Sequence, residues 1–178
     1  MLSLEAPVKS IVPEVSSGYA EATVQQVLDM VVTNNFSEGY DDNAYSPEPP
    51  AGSKMGYSRQ EISMGWRLAP IGEARPRTMQ DFISRIELTE DSDSGYKSTN
   101  NDLLGWIAEK VTGQSLRELL SAVVAGAGLE GSFHCGCDAS FFPICSGAGF
   151  MTARDLCRYV PVHQAAAHPH IAIAIRKH

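Results

Sequence analysis

The sequence contains no run of about 20 apolar residues, which is the length that a membrane-spanning helix requires. Its first residues also lack the basic region and apolar core of a signal peptide. Lysine and arginine number 14 against 21 aspartates and glutamates, a net charge of -7, whereas affinity for nucleic-acid phosphates comes mainly from such cations. These absences predict a cytoplasmic chain with no membrane span and no nucleic-acid partner. They leave the oligomeric state open.

Cysteine is scarce, and its spacing is not that of a zinc site. All the cysteines lie late in the chain, with His134 beside the first of them, and no C-x-x-C pair occurs. We therefore expect unpaired thiols in a reducing compartment and no bound metal. The four residues are Cys135, Cys137, Cys145 and Cys157.

Two arrangements that activate a nucleophilic serine are absent or misplaced. No G-x-S-x-G elbow occurs, and the histidines that could assist such a serine lie mostly within residues 161–178. The letters S-x-x-K occur from Ser94 to Lys97, but a working pair needs both side chains on one turn of a buried helix. Because Gly95 and an acidic turn surround these letters, we do not expect Ser94 to be a nucleophile.

Helical periodicity is the strongest structural signal in these 178 residues, a length that suits one domain with a core. The most regular stretch begins after residue 98 and ends before Gly113. Ser98 or Thr99 can accept a backbone N–H as the N-cap, and Gly113 suits the left-handed position that ends a helix. The apolar face of this predicted helix comprises Leu103, Leu104, Ile107, Ala108 and Val111.

Four further helices are predicted from capping residues followed by apolar positions at helical spacing. Three begin with a capping box, at Thr23 with Gln26, Ser58 with Glu61, and Ser115 with Glu118, and one begins after Thr78. The residues that we expect on their apolar faces are Val24, Val27, Leu28 and Val31; Ile62, Met64, Trp66 and Leu68; Met79, Phe82, Ile83 and Ile86; and Leu116, Leu119, Leu120, Val123 and Val124.

Both ends of the chain depart from this helical pattern. Pro7 and Pro13 favour an extended connection over residues 1–19. Within residues 161–178, Ile171, Ile173 and Ile175 alternate with alanine, which indicates an edge strand, a poorly ordered end or foreign sequence.

The stretch from Gly95 to Gly113, with Tyr96 and Ser98 just ahead of the central helix, resembles the tyrosine motif of the serine β-lactamase and DD-peptidase superfamily. The similarity is greatest to the branch of class C-like esterases and 6-aminohexanoate-dimer hydrolases. Two further stretches resemble family elements in the same order. The first is L-x-L-x-x-P-V followed by V-P-E within residues 2–14, and the second is T-A-R-D-L from Thr152, where the threonine caps a helix.

The resemblance implies a mainly α chain, namely the helical domain of the β-lactamase/DD-peptidase-like α/β fold with the central sheet largely missing. Residues 1–160 would form this partial domain, and residues 161–178 a divergent C-terminal tail. The resemblance also implies hydrolysis of a small-molecule amide or ester through an acyl-serine intermediate, without a metal or an organic cofactor.

The resemblance further implies roles for three residues. Tyr96 would transfer protons to and from the nucleophilic serine, which requires cationic neighbours because a free phenol has a pKa of about 10. Ser98 would position the family's lysine, and Tyr40, on an acidic loop, would contact the substrate. Each tyrosine has an alternative interpretation: Tyr96 as a half-buried packing residue, and Tyr40 as a partly packed residue on a solvated loop.

Other catalytic parts that the resemblance calls for are not apparent in the sequence. The family carries its S-x-x-K helix upstream of the segment that starts here, and a Lys-Thr-Gly or His-x-Gly strand near the C-terminus. Residues 111–113 and 134–136 match the latter by letter alone. We therefore expect the isolated chain to be catalytically inert. The remaining alternatives are an incomplete hydrolase, a non-catalytic ligand-binding module that keeps the cleft wall, and a gene remnant without a stable fold.

Overall fold

The structure, a computed structural model, describes residues 2–38, 55–69, 71 and 78–158. Within these ranges a short 3-10 turn at Val8–Ser10 is followed by a series of helices, and residues 153–158 are also helical. The α-helices are α1 (Ser17–Ala20), α2 (Val24–Leu28), α3 (Tyr57–Met64), α4 (Met79–Ile83), α5 (Thr99–Thr112) and α6 (Leu116–Ala127).

The strands of the described residues are all two residues long and form three separate pairs. The strands are β1 (Thr33–Asn34), β2 (Phe36–Ser37), β3 (Met55–Gly56), β4 (Asp93–Ser94), β5 (His134–Cys135) and β6 (Gly149–Phe150). β1 pairs with β4 and β5 with β6 in antiparallel fashion, whereas β2 pairs with β3 in parallel. The described part of the chain is therefore mainly α, as the sequence predicts.

Helix ends follow the predicted capping chemistry at most positions. Thr23 and Gln26 form a complete capping box, with hydrogen bonds of 3.1 and 2.9 Å, and Ser115 and Glu118 form another. Thr78 accepts a hydrogen bond from the backbone N–H of Asp81 at 3.0 Å, and Gly113 ends α5 with a φ of 70°. These predictions are confirmed. A cap depends on only a few consecutive residues, so the sequence alone can predict it.

The capping box predicted at Ser58 and Glu61 is wrong. α3 begins at Tyr57, after Gly56 in the N-cap position, so Ser58 already lies inside the helix. Glu61 instead pairs with Arg67, at 2.6 Å between the carboxylate and the guanidinium. The Trp66 and Leu68 side chains, predicted to be apolar-face residues of this helix, follow its end at Gly65 and are exposed.

The opening segment is not the extended connection that its prolines suggest. It contains the 3-10 turn at Val8–Ser10 and helix α1, and Pro7 is accommodated at the N-cap of the turn, where its missing N–H costs no hydrogen bond. Val8, Val12 and Val15 are buried at helical spacing. This spacing of apolar residues indicates helical structure, whereas Pro7 and Pro13 favour an extended segment.

The core lies where α1, α2, α4 and α5 meet. Phe36 and Phe82 pack edge to face there, with ring centroids 6.0 Å apart. The four apolar residues predicted for α4 and the following turn are all fully buried. The largest fully buried apolar side chains are Tyr19, Phe36, Phe82, Met79, Ile83, Ile86, Leu103 and Ile144.

Several residues predicted to be buried are instead exposed. α2 ends at Leu28, and Met30 takes a left-handed φ of 58° that turns the chain before a second helical turn can bury Val31. Val111 and Val123 lie near the ends of α5 and α6 on faces that the described residues do not cover. Burial at the ends of these helices therefore depends on neighbouring elements more than on helical period.

Replacing Gly18 by alanine is expected to lower the free energy of unfolding by about 1–3 kcal/mol. A Cβ atom at this position would lie 2.6 Å from the carbonyl oxygen of Ile86, a backbone atom that cannot move aside cheaply, and the Gly18 N–H donates to that same oxygen at 3.1 Å. Urea denaturation measures the change. Gly126→Ala is the matched control because its Cβ meets no atom within 4 Å; equal stability of the two variants would contradict the prediction.

Candidate functional site

The chain passes from β4 into α5 through a segment whose exposure changes abruptly. Tyr96 is 62% exposed, whereas the next four residues, 97–100, are each at most 4% exposed. The phenol therefore projects outward from a backbone that is fixed from beneath. This is the position ahead of the central helix that the sequence predicts for Tyr96.

The phenol of Tyr96 has a polar neighbour one helical turn away. Asn101 lies with its Nδ2 atom 3.5 Å from the phenol oxygen, at the limit of a hydrogen bond. The amine of the adjacent Lys97 is not a partner of this phenol within the described residues. It donates instead to the Phe36 carbonyl and to the Asp93 carboxylate.

Lys97 is a structural anchor with a buried amine. Its Nζ atom donates to the Phe36 carbonyl at 2.6 Å and to the Asp93 carboxylate at 2.8 Å, and thereby ties β2 and β4 to the start of α5. Ser94 lies on β4, is exposed, and pairs with Thr33. The S-x-x-K letters of residues 94–97 consequently do not fall on one helical turn.

Ser98 does not cap α5 as the sequence suggests. It occupies the N-cap position with helical angles, φ −57° and ψ −33°, and makes no side-chain cap. Its hydroxyl donates to the Oε1 atom of Gln60 at 3.0 Å instead. Its backbone N–H donates to the carboxylate of Glu38, which stabilises the positive end of the helix in place of a cap.

Gln60 is fully buried on α3 and connects Ser98 to a second polar group. Its Nε2 atom donates to Asp102 Oδ2 at 3.3 Å and to the Ser146 hydroxyl at 3.4 Å. Asp102 Oδ1 also accepts the backbone N–H groups of Cys145 and Ser146, at 2.8 and 3.1 Å. A continuous polar chain thus runs from Ser98 through Gln60 to Asp102.

Sequence reasoning missed this chain, although one signal for it was available. Asp102 follows Ser98 by four residues, so both occupy the same side of α5. Gln60 and Glu38 gave no comparable signal, because their contacts cross 38 and 60 residues of sequence.

Asp102 is a carboxyl group whose acidity is weakened by its surroundings. Burial raises its pKa from 3.8 to about 6, and the hydrogen bonds from Ser146, Cys145 and Gln60 offset part of that rise. Because the pKa of Asp102 differs between the folded and unfolded states, the free energy of unfolding depends on pH between these two values.

Lowering the pH from 7 to 5 is therefore expected to stabilise the fold. Between pH 3.8 and about 6 the folded state holds a proton on Asp102 that the unfolded state has lost. The free energy of unfolding should increase by about 1 kcal/mol as the pH falls from 7 to 5, and this gain should be lost as the pH rises through about 6. Urea denaturation across this range measures the slope.

The Asp102→Asn variant provides the control, because asparagine does not titrate. Three neighbours that interact electrostatically with Asp102 stay neutral in this range. Burial raises the pKa of the Tyr19 phenol and of the Cys135 thiol, and it raises the pKa of the Cys145 thiol to about 12. A variant with the same slope as the natural chain would show that Asp102 is not its source.

A second tyrosine near α5 has a structural role. The phenol of Tyr19 is fully buried and hydrogen-bonds with Thr99 Oγ1 and Asn100 Oδ1, both at 2.8 Å. Because burial raises its pKa, this phenol is poorly suited to proton transfer. It fixes α1 against the start of α5 and so supports the backbone under Tyr96.

Other candidate residues lie apart from this site or beyond the described ranges. Tyr40 and residues 161–178 lie outside the described residues. Residues 111–113 form the end of α5, and residues 134–135 form β5, which pairs with β6. Thr152 accepts the backbone N–H of Asp155 at 3.1 Å, as predicted for the cap of the last helical segment.

The remaining expectations for the described residues concern thiols, metal binding and membrane spans. The four cysteines are unpaired thiols. Across residues 2–38, 55–69, 71 and 78–158, no three His, Cys, Asp or Glu side chains are grouped to bind a metal. None of the helices in these ranges has the length and apolar character needed to cross a membrane.

Comparison with known proteins identifies a family and relatives that match most of this chain. Residues 1–174 match the protein family described as "Beta-lactamase". The chain is 34% identical over 157 residues to the 6-aminohexanoate-dimer hydrolase of Paenarthrobacter ureafaciens, a match that covers 85% of this chain and 36% of the relative. These findings confirm the resemblance that the sequence motifs indicate.

A solved structure shows the same fold. It is described as "Putative 6-aminohexanoate-dimer hydrolase from Bacillus anthracis" and superposes with a TM-score of 0.70 at 22% identity, covering 89% of this chain and 40% of its own. The chain thus spans 36–40% of the length of these two relatives.

Proposed function

Because the chain belongs to the β-lactamase family, we propose that its α3 and α5 helices form one wall of the acyl-transfer site of a serine hydrolase. The substrate class is a small-molecule amide or ester. The observation that carries this proposal is the exposed phenol of Tyr96, set on a buried and hydrogen-bonded helix start. Tyr96 is assigned proton transfer, Ser98 the positioning of a lysine, and Tyr40 a substrate contact.

The chemistry requires a partner that lies outside the described wall. A serine hydroxyl attacks a carbonyl only when a neighbouring group takes its proton, and a phenol can do so when a cation stabilises its anion. The amine of Lys97 is committed to Phe36 and Asp93. In the family, a lysine accompanies the nucleophilic serine, and we assign the cation to that lysine. These 178 residues contain no S-x-x-K on a helical turn.

A chimeric enzyme tests the proposal. The portion of the Paenarthrobacter ureafaciens hydrolase that matches this chain is replaced by the corresponding residues of this chain, and hydrolysis of the 6-aminohexanoate dimer and of a p-nitrophenyl ester is measured. We expect turnover by the folded chimera and none by the 178-residue chain. A stoichiometric nitrophenolate burst from the chain itself, abolished by Ser94→Ala, would contradict this assignment.

A second candidate function is a non-catalytic ligand-binding module. The observation that favours it is the exposure of Tyr96 beside a lysine whose amine is occupied, because such a surface can bind without reacting. Saturable NMR shifts around Tyr96 on addition of the 6-aminohexanoate dimer to the chain, together with an inactive chimera, would support it over the hydrolase.

A further inference from the structure

Gln60 lies between a hydroxyl and a carboxylate, and its two polar ends have different partners. Its Oε1 atom accepts from Ser98 Oγ at 3.0 Å, and its Nε2 atom donates to Asp102 Oδ2 at 3.3 Å. The Gln60 side chain is fully buried on α3, so water does not compete for these contacts. The orientation of the Gln60 side-chain amide therefore has its oxygen toward Ser98 and its nitrogen toward Asp102.

The direction of the hydrogen bonds is set from the Asp102 end. Above its pKa of about 6, Asp102 is an ionised carboxylate that only accepts, and its Oδ1 already accepts two backbone N–H groups. Turning the Gln60 amide over would place Oε1 against Asp102 Oδ2, two acceptors in contact. The favoured orientation leaves Oε1 facing Ser98, so the single hydroxyl proton of Ser98 is donated to Gln60.

We propose that Gln60 is a positioning residue that makes Ser98 an acceptor for an alkylammonium group. Because the Ser98 hydroxyl donates its hydrogen to Gln60, its oxygen has only lone pairs left to offer a cation. This inference rests on the proposed function, in which that cation is the lysine beside the nucleophilic serine. The Glu38 carboxylate, which accepts the Ser98 backbone N–H, offsets the repulsion that the start of α5 exerts on a cation.

Methylammonium chloride is a probe of this acceptor in the full 178-residue chain. The measurements are NMR shifts of the Ser98 backbone amide and Cβ during titration, and the hydroxyl proton of Ser98 as a slowly exchanging resonance. In the natural chain we expect saturable shifts at Ser98 and a protected hydroxyl proton. In Gln60→Met, which has similar volume but neither amide group, we expect loss of that protection and an apparent affinity at least about tenfold weaker.

The matched control is Gln80→Met. Gln80 donates from its Nε2 atom to the Glu109 carboxylate on α5 at 3.1 Å, so the same substitution removes the same kind of contact to the same helix, away from Ser98. This variant should bind methylammonium like the natural chain and keep the hydroxyl proton protected. The backbone amide spectrum of each variant verifies that it is folded.

Three results would overturn the role of Gln60: no saturable shift at Ser98 in the natural chain, equal affinities for the natural chain and Gln60→Met, or equal losses in Gln60→Met and Gln80→Met. The chimera decides the proposed hydrolase separately. A Gln60-dependent methylammonium site with an inactive chimera would defeat the hydrolase but retain this inference, whereas an active chimera without such a site would do the reverse.

Discussion

Replacing Asp138 by alanine is expected to lower the free energy of unfolding by about 3–5 kcal/mol, because it leaves two buried N–H groups and one partly buried N–H group without an acceptor. Asp138 is buried and accepts from the backbone N–H of Met79 at 2.8 Å through Oδ2. Its Oδ1 accepts from the backbone N–H groups of Ser140 and Phe142, at 2.8 and 3.0 Å. One carboxylate therefore organises its own turn and the first turn of α4.

The consequence extends to the core, because α4 carries Met79, Phe82 and Ile83, all fully buried. Urea denaturation of Asp138→Ala measures the loss. Ser140→Ala is the control, since it removes only the hydroxyl bond to Asp138, of 2.6 Å, and should cost less than about 1.5 kcal/mol. A loss for Asp138→Ala as small as that of the control would show that α4 does not depend on this carboxylate.

Replacing Tyr96 by phenylalanine in the chimeric hydrolase is expected to reduce kcat/KM by about 10²–10⁴-fold, the usual contribution of a positioned proton-transfer group. The ring is retained and only the phenolic oxygen is lost. The decrease should fall on kcat, because proton transfer is needed in the transition state and not for substrate binding. Steady-state kinetics with the p-nitrophenyl ester separate the two parameters.

Ser94→Ala is the control for Tyr96→Phe. Ser94 is exposed two residues earlier, on β4, and should leave kcat/KM within about twofold, as a surface change without a catalytic role does. If Tyr96→Phe retained full activity, the phenol would have no part in acyl transfer, and the site would have to be sought elsewhere in the family fold.

Features set by a few consecutive residues could be predicted from the sequence. The capping boxes at Thr23 and Ser115 and the end of α5 at Gly113 form as predicted, because both partners lie within one helical turn. The buried face of α4 was also predicted correctly, because its apolar residues Met79, Phe82 and Ile83 all lie in the core. The position of Tyr96 follows from the start of α5.

Features that join distant parts of the chain could not be predicted. The contact between Gln60 and Asp102 crosses 42 residues, and that between Met79 and Asp138 crosses 59. Ser98 does not cap α5 with its side chain, because its own backbone already has helical angles. Its hydroxyl donates to Gln60 and its backbone N–H to Glu38, and both partners are distant in sequence. Helical period likewise could not show that Val111 would be left uncovered.

The support of residue 96 is chemically separate from the residue itself. Lys97 and Ser98 secure the backbone through an ammonium, an amide N–H and a hydroxyl. Their partners lie in three parts of the chain, namely residues 36–38, Gln60 and Asp93. None of these bonds involves the side chain at position 96. The acidity and reach of the group presented there can therefore change by substitution while the frame that presents it remains, which makes this position open to functional divergence at little cost in folding.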